Sequence, residues 1–386
     1  MVLPDGVVAW AVTHHATLER VLTDPRFAKN PSYWRAWKNK SVTADWVMPW
    51  IGVDNMFTAD GADHLRLRRL VSQAFTARRV EQLRGRIAQI VADLLEQMAD
   101  LDGRRVDLKR ALALPLPLTV ISELFGVPVG DRAPLQQLCA AVFDQSLAPQ
   151  ETMAAYQGLQ QAIAQLTALK RAQPGDDMTS ALITIRDGSD QLTEAELHWT
   201  LILMIGAGYE TTVNLITSAV RALLTSPDQL ALVMSGSYEW QAVVEETLRW
   251  AAPIANLPFR FTREDVDLDG VIIPAGQAVL MCYGAAGRDG AQHGPHADQF
   301  DITRAPAGHL AFSHGPHFCL GAPLARMEAA TALAMLFERF PNLALATPED
   351  QLKLIPSVVG NGVASLPVTC KPQHAIGRNP KGNLVT

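Results

Sequence analysis

Phe312-Ser313-His314-Gly315-Pro316-His317-Phe318-Cys319-Leu320-Gly321 runs straight into a helical pattern over 322–340. A cysteine at a helix start lies near the positive end of the helix dipole and near unpaired backbone N–H groups. Both favour the thiolate, the form that ligates metals. A free cysteine by itself is most often a small buried hydrophobe. This one is crowded by two glycines, two histidines and two phenylalanines, which makes it a candidate metal ligand. The remaining cysteines, Cys139, Cys282 and Cys370, are widely spaced and form no Cys-x-x-Cys. That fits neither a disulfide scaffold nor a structural zinc site, and points to a reducing compartment.

A chain of 386 residues holds one large domain or two to three ordinary ones. Its 48% hydrophobic content supports a sizeable core, and its net charge of -6 argues against nucleic acid as the main partner. The start, Met-Val-Leu-Pro-Asp-Gly, has no basic region followed by an apolar run, so no signal peptide is expected. The longest apolar stretch, near 201–207, soon reaches Glu210, so no membrane span is expected either. The expectation is a soluble cytoplasmic protein.

Helical periodicity dominates: 65–75, 80–98, 108–124, 152–172, 193–224, 240–250 and 320–340 carry apolar residues at helical spacing. Strand signals are fewer. One is 7–12, and 266–273 with 277–283 reads as a hairpin about Pro274-Ala275-Gly276. The fold class is therefore mainly α, a large helical domain with a small β-rich portion. No repeat, linker or composition break divides it, so 1–386 reads as a single domain, with 173–177 a loop and 372–386 a flexible polar tail. The segment 31–63 is rich in Trp, Met and Pro without steady periodicity. Such a segment either covers a binding cavity or packs as a surface loop.

Three further patterns carry chemistry. The helix from Thr193 opens with a capping box to Glu196, runs apolar through 201–205, then reads Gly206-Ala207-Gly208-Tyr209-Glu210-Thr211-Thr212. Each glycine costs helix stability, roughly 1 kcal/mol relative to alanine. Small residues let something flat approach the backbone, and a Thr hydroxyl bonded one turn back can open the helix. The competing reading is a helix crossing that needs small residues, with Glu210 salt-bridged. Glu246 and Arg249 stand three apart on one helix face, a spacing common in surface pairs. His64 and Arg68 stand four apart in a basic neighbourhood that includes Arg66, Arg69, Arg78 and Arg79, most of which read as a solvated helix face.

In chain order, Ala207-Gly208-x-Glu210-Thr211, Glu246-x-x-Arg249 and the cysteine loop closely resemble the cytochrome P450 family in its soluble bacterial form. The resemblance extends over nearly the whole chain, through His64-x-x-x-Arg68, Arg260, Arg288-Asp289 and Phe300-Asp301-x-x-Arg304. It implies the P450 fold, with haem b between a long central helix and the cysteine-loop helix. Cys319 would be the iron ligand, thiolate ligation being this family's mode. Phe312 would pack beside the sulfur, and Gly315 and Gly321 would let the loop turn and aim amides at it. His64, Arg68, Arg260 and His317 would hold the haem propionates. Ala207 and Gly208 would lie over the distal face, where Glu210 and Thr211 would deliver protons. Glu246 and Arg249 would form a structural ion pair tied to Arg304. Substrate would meet Trp46, Met48, Trp50, Met204, Ala207, Ile254, Asn256, Leu257 and Val358.

The activity implied is insertion of one oxygen atom from dioxygen into a bulky apolar molecule such as a macrolide, polyketide or steroid. The chain has no dinucleotide-binding glycine fingerprint, so electrons would come from a ferredoxin and its NAD(P)H-dependent reductase. Arg66, Arg69, Arg78 and Arg326 would offer the docking charge on a monomer that binds neither nucleic acid nor membrane. The rivals are a peroxide-driven enzyme of the same fold, disfavoured by Glu210-Thr211, and a non-enzymatic haem sensor. Three positions depart from the family pattern: Ser313 where glycine is usual, Tyr209 where histidine is most often found, and Gly287 where asparagine is usual.

Overall fold

A computed structural model describes residues 1–42, 44–100, 105–143, 147–186, 188 and 190–370. The tail expected at 372–386 lies outside the described residues.

Seven helices position the site: α1 (Gly61–Ala74), α2 (Pro115–Leu124), α3 (Val129–Phe143), α4 (Pro149–Ala172), α5 (Glu194–Thr225), α6 (Trp240–Trp250) and α7 (Ala322–Arg339). The central one is α5. Its capping box forms as expected: the Thr193 hydroxyl accepts from the Glu196 N–H, and the Glu196 carboxylate accepts from the Thr193 N–H at 2.8 Å. Buried along most of its length, α5 packs against α2, α4, α6 and α7. The helix expected over 108–124 is divided. Lys109–Ala113 is a π-helical turn, and Pro115 starts α2, where its missing N–H costs nothing. The periodicity reading missed α3, which carries Pro134 inside it. No single described helix is long and apolar enough to cross a membrane.

The β portion is small and includes β1 (Trp10–Val12), β2 (Phe27–Ala28), β3 (Leu257–Thr262), β4 (Val266–Leu268), β5 (Val271–Ile273) and β6 (Ala278–Met281), beside a separate three-stranded sheet of Arg105–Asp107, Ala344–Leu345 and Pro367–Thr369. One sheet has the order β1-β6-β3-β2, with β1 parallel to β6 and the other pairs antiparallel. The hairpin expected between 266–273 and 277–283 does not form. Instead β4 pairs with β5 across Asp269-Gly270, both at positive φ (56° and 84°). Asp-Gly suits a two-residue hairpin turn that needs positive φ at both positions. Thus 266–273 is two short strands, and β6 belongs to the larger sheet.

The segment 31–63 does both jobs weighed for it. Trp34 is buried against Phe259 and Phe261. Trp46, Trp50, Met56 and Phe57 line the main cavity.

Beneath α6 lies a pair of buried histidines, His15 and His293, with ring centroids 5.5 Å apart. Among the described residues, neither His293 ring nitrogen nor His15 Nε2 has a hydrogen-bond partner. Burial, then the nearby Arg249 charge, lowers His293 to about 4, and burial lowers His15 as well. The unfolded chain titrates near the ordinary histidine value of about 6.5. Below that pH it takes up protons that the folded chain refuses, so stability falls between about pH 6.5 and 4. His293→Phe removes two unpartnered polar atoms. It is expected to raise stability by about 1 kcal/mol at pH 7, and by more at pH 5, read from urea melts at the two pH values.

Candidate active site

A cavity of about 820 Å³ lies between α5 and the cysteine loop that precedes α7. Cys319 is exposed into it from one side, and Ala207, Gly208, Glu210 and Thr211 face it from α5.

The loop holds the sulfur by backbone geometry. Cys319 N–H donates to the Phe312 carbonyl at 2.8 Å. Gly315 has φ +70°, and a Cβ there would stand 2.8 Å from Thr23 Cγ2, so glycine is required on both counts. The amides of Gly321 and Ala322, at the start of α7, favour negative charge on the sulfur, and the Ala322 N–H donates to the Cys319 carbonyl at 3.5 Å. Burial pushes the Cys319 thiol up, while those amides and the charges of Arg68 and Arg326 oppose the shift. Ser313 has φ +64°, a left-handed conformation that strains any side chain, which accounts for glycine being the usual residue there. Phe312 lines the cavity beneath the Arg326 guanidinium, 4.6 Å from the ring centroid.

Beside the sulfur is a corner rich in positive charge. His64 from α1 and His317 from the loop lie against each other, ring centroids 4.0 Å apart and planes tilted by 35°. Arg68 and Arg260 line the cavity with them. Arg260 is buried and donates to the carbonyls of Phe27 (3.1 Å) and Leu22 (3.0 Å), leaving its Nε without a partner. Burial, then the surrounding His64, Arg260, Lys29 and Arg68, drives His317 down to about 2. The charge of Asp60 reaches His64 and Arg260, but its oxygens are taken by the Lys29 and Asn30 N–H groups and by Arg263.

On the opposite side, the Thr211 hydroxyl donates to the Ala207 carbonyl at 3.1 Å, the one-turn-back bond expected from the sequence. Gly208 faces both the cavity and α2, where a Cβ would stand 2.7 Å from Ile121 Cδ1. The helix-crossing reading and the flat-ligand reading therefore both apply to it. The charge of Glu210 reaches Lys109, a lysine lowered by burial and partly restored by that carboxylate.

Sequence reasoning brought together His64, Arg68, Ala207, Gly208, Glu210, Thr211, Arg260, Phe312, His317, Cys319 and Gly321 around one cavity. Gly315 shapes the loop without lining it. Of the expected substrate wall, Trp46, Trp50, Met204, Ala207, Ile254 and Leu257 line the cavity. Met48, Asn256 and Val358 do not. The Met48 side chain is exposed. Asn256 Nδ2 turns to the Val358 carbonyl at 2.9 Å, and Val358 packs in the core beside β3. Tyr209 is buried on the far face of α5, outside the cavity, so it does not set pocket polarity. Gly287 is explained by Arg249, whose carbonyl would collide with a Cβ at that position.

Two docking charges are already engaged. Arg66 pairs with Asp190 (2.9 Å) and Glu196, and Arg326 clamps Glu245 with two bonds at 2.6 and 2.8 Å. Burial alone would raise the Glu245 carboxyl, but hydrogen bonds from Arg326 and His309 bring it down to about 2. Arg69 and Arg78 have exposed side chains.

Lys29, Asn214, Tyr283 and Glu328 also line the cavity and escaped the sequence reading. Burial raises the Glu328 carboxyl to about 8, and one of its oxygens has no partner. An acid on the apolar face of the 322–340 pattern was the available signal. Asn214 stands one turn beyond Thr211 on the same stripe, so helical spacing could have found it.

The Cytochrome P450 family profile matches residues 240–365. The chain is 43% identical over 376 residues to 2-hydroxy-5-methyl-1-naphthoate 7-hydroxylase of Streptomyces carzinostaticus, spanning 97% of this chain and 92% of that one. It is 41% identical over 376 residues to vitamin D(3) 25-hydroxylase of Pseudonocardia autotrophica, spanning 97% and 91%. Among solved structures, CYP154C4 from Streptomyces sp. ATCC 11861, described as "Testerone bound", superimposes with a TM-score of 0.94 at 43% identity, covering 97% of this chain and 93% of that one.

Proposed function

Because the chain belongs to the cytochrome P450 family and is a cytochrome P450 monooxygenase, we propose that it hydroxylates or epoxidises a bulky apolar natural product of macrolide, polyketide or steroid type, with dioxygen and electrons from a separate ferredoxin and NAD(P)H-dependent reductase. One observation carries this reading: a single cavity presents Cys319 on one side, the Glu210-Thr211 turn on the other, and aromatic and aliphatic walls between them. The hydroxylases of a naphthoate and of vitamin D(3) named above support a polycyclic substrate.

The residues present fit haem b. Cys319 offers a sulfur on which the Gly321 and Ala322 amides and the Arg68 and Arg326 charges favour the thiolate, and the positive corner with its orphaned Arg260 Nε suits carboxylates. In this reading Cys319 holds the iron. His64, Arg68, Arg260 and His317 hold the propionates, and Glu246, Arg249 and Arg304 brace the fold as one domain. When bound, haem iron supplies the redox chemistry that activates dioxygen. The chain supplies pose, dryness and protons. Trp50, Met204, Ile254 and Leu257 present apolar surface that orients the substrate and excludes water. The Thr211 hydroxyl keeps its donor on the Ala207 carbonyl, so its lone pairs are free to accept from water in the cavity. Glu210, next along α5 and set against Lys109, is the proton reservoir.

Thr211→Ala removes the hydroxyl and leaves α5 intact, since the bond it loses is a back-bond and not a helix rung. NAD(P)H and oxygen consumption should continue with reconstituted redox partners, while product per NAD(P)H falls about 100-fold, the low end of what a positioned proton-transfer group contributes. The missing product should appear as hydrogen peroxide. Undiminished coupling in this variant counts against the proton-delivery role. Product formation driven better by hydrogen peroxide alone counts against the reductase-fed reading.

A further inference from the structure

Lys29 lies at the end of β2, and its side chain, only 3% exposed, lines the cavity beside His64 and Arg260. Its main chain is pinned: the Lys29 N–H donates to both oxygens of Asp60 (2.9 and 2.8 Å), and the Asn30 N–H joins at 3.0 Å. Asp60 immediately precedes α1, so this clasp ties Lys29 to the helix that carries His64 and Arg68. It also occupies Asp60, which takes Arg263 at 3.6 Å as well.

The ammonium itself is poorly matched. It has three N–H donors. One goes to the Phe259 carbonyl at 3.2 Å, and the group rests 4.0 Å over the Phe57 ring. Among the described residues, no carboxylate lies within ion-pair distance of it. Burial, then the charge of Arg260, lowers Lys29 to about 7, with Asp60 opposing only as the smallest contribution. A buried lysine without an anion is costly, and a buried, perturbed ionisable group facing a cleft is a candidate functional group. The neighbours agree: Arg260, lining the same cavity, has an unpartnered Nε.

We propose that Lys29 binds a carboxylate inside the cavity, next to Arg260 and His317, as a fifth member of that corner beyond the four residues assigned to the propionates. Two sources present this chemistry: an edge carboxylate of the cofactor, and the carboxylate of an acidic substrate. The inference rests on the haem reading, which places the cofactor's carboxylates at this corner.

The holoenzyme tests it through Lys29→Met and Lys29→Arg. Methionine removes a buried charge and keeps most of the side-chain volume, so the fold should survive; Lys29→Gln serves as a second uncharged variant. Haem loss to excess apomyoglobin is followed by the Soret band. Binding of 1-naphthoic acid and of its methyl ester is followed by the spin-state shift. If the cofactor supplies the carboxylate, both uncharged variants lose haem about tenfold faster, the weight of one charge-assisted hydrogen bond, while Lys29→Arg stays close to the native rate. If the substrate supplies it, haem loss is unchanged and the acid, but not the ester, binds about tenfold more weakly. Unchanged haem loss together with an unchanged acid-to-ester ratio overturns the proposal. The carbon monoxide spectrum separates this failure from failure of the haem reading, because Lys29 does not touch Cys319. A native chain without the thiolate band sinks the haem reading itself, whatever Lys29 does.

Discussion

Cys319→Ala is expected to abolish the strongly red-shifted Soret band of the ferrous carbon monoxide complex and to lower turnover well beyond 100-fold. Outer-sphere partners of a metal ligand typically cost about 10- to 100-fold when removed, so loss of the ligand itself should exceed that range. The reason lies in the loop. The Gly321 and Ala322 amides, with Arg68 and Arg326 further out, all favour negative charge at this sulfur. Alanine removes the atom on which that field acts and, in the haem reading, leaves the iron without its thiolate. Cys319→His separates the two roles. Imidazole can ligate iron but does not supply the thiolate's electron push. That variant should retain haem with an ordinary Soret position and still fail to oxygenate substrate. Turnover within tenfold of native in either variant would mean that Cys319 is not the ligand.

Much of the site was legible because its residues are local in sequence. The cysteine loop fits between 312 and 321, and the Glu210-Thr211 turn lies within one helix whose capping box marks its start. The pairs Glu246/Arg249 and His64/Arg68 obey helical spacing, which sequence alone can count. What failed depended on context. Pro134 lies in the first half of α3, where a helix was not expected. Asp269-Gly270 carried a hairpin signal as strong as Pro274-Ala275-Gly276, and the choice between them fixed which strands pair. Met48, Asn256 and Val358 lie beside residues that do line the cavity; direction in irregular backbone has no period to read. Lys29 left no trace, because its meaning comes from Asp60 and Phe259, 31 and 230 residues away along the chain.

Arg249→Met should be the most destabilising single change outside the cysteine loop. Arg249 (4% exposed) and Glu246 (6%) form a two-bond pair at 2.7 and 2.6 Å. The guanidinium also donates to the carbonyls of Gly287 (2.6 Å), Ala297 (2.6 Å) and Gln299 (2.8 Å), so it ties α6 to two loops. Glu246 in turn accepts from the Asp301 N–H at 2.8 Å and lies 3.6 Å from Arg304. Methionine takes the two-bond partner from a buried carboxylate, which keeps only the Asp301 N–H and Arg304, and removes the guanidinium from the Gly287 and Ala297 carbonyls, while the Gln299 carbonyl keeps Arg304 at 3.3 Å. Breaking a buried pair in this way costs about 3–5 kcal/mol, a large share of the roughly 5–15 kcal/mol that holds a typical protein folded. Lysine keeps the charge, but it cannot reproduce a planar fork that meets one carboxylate and three carbonyls, so Arg249→Lys should recover less than half of the loss. Glu246→Leu combined with Arg249→Met should cost less than the two single changes added, because neither charge is then left alone. The damage should reach the cofactor as well. Since α6 packs on both α5 and α7, loosening it relaxes the two walls between which Cys319 and Thr211 face each other. Urea melts and haem-loss rates measured on these four variants should therefore rank them in the same order. A lysine variant as stable as the native chain would show that charge, and not the fork of hydrogen bonds, holds this joint.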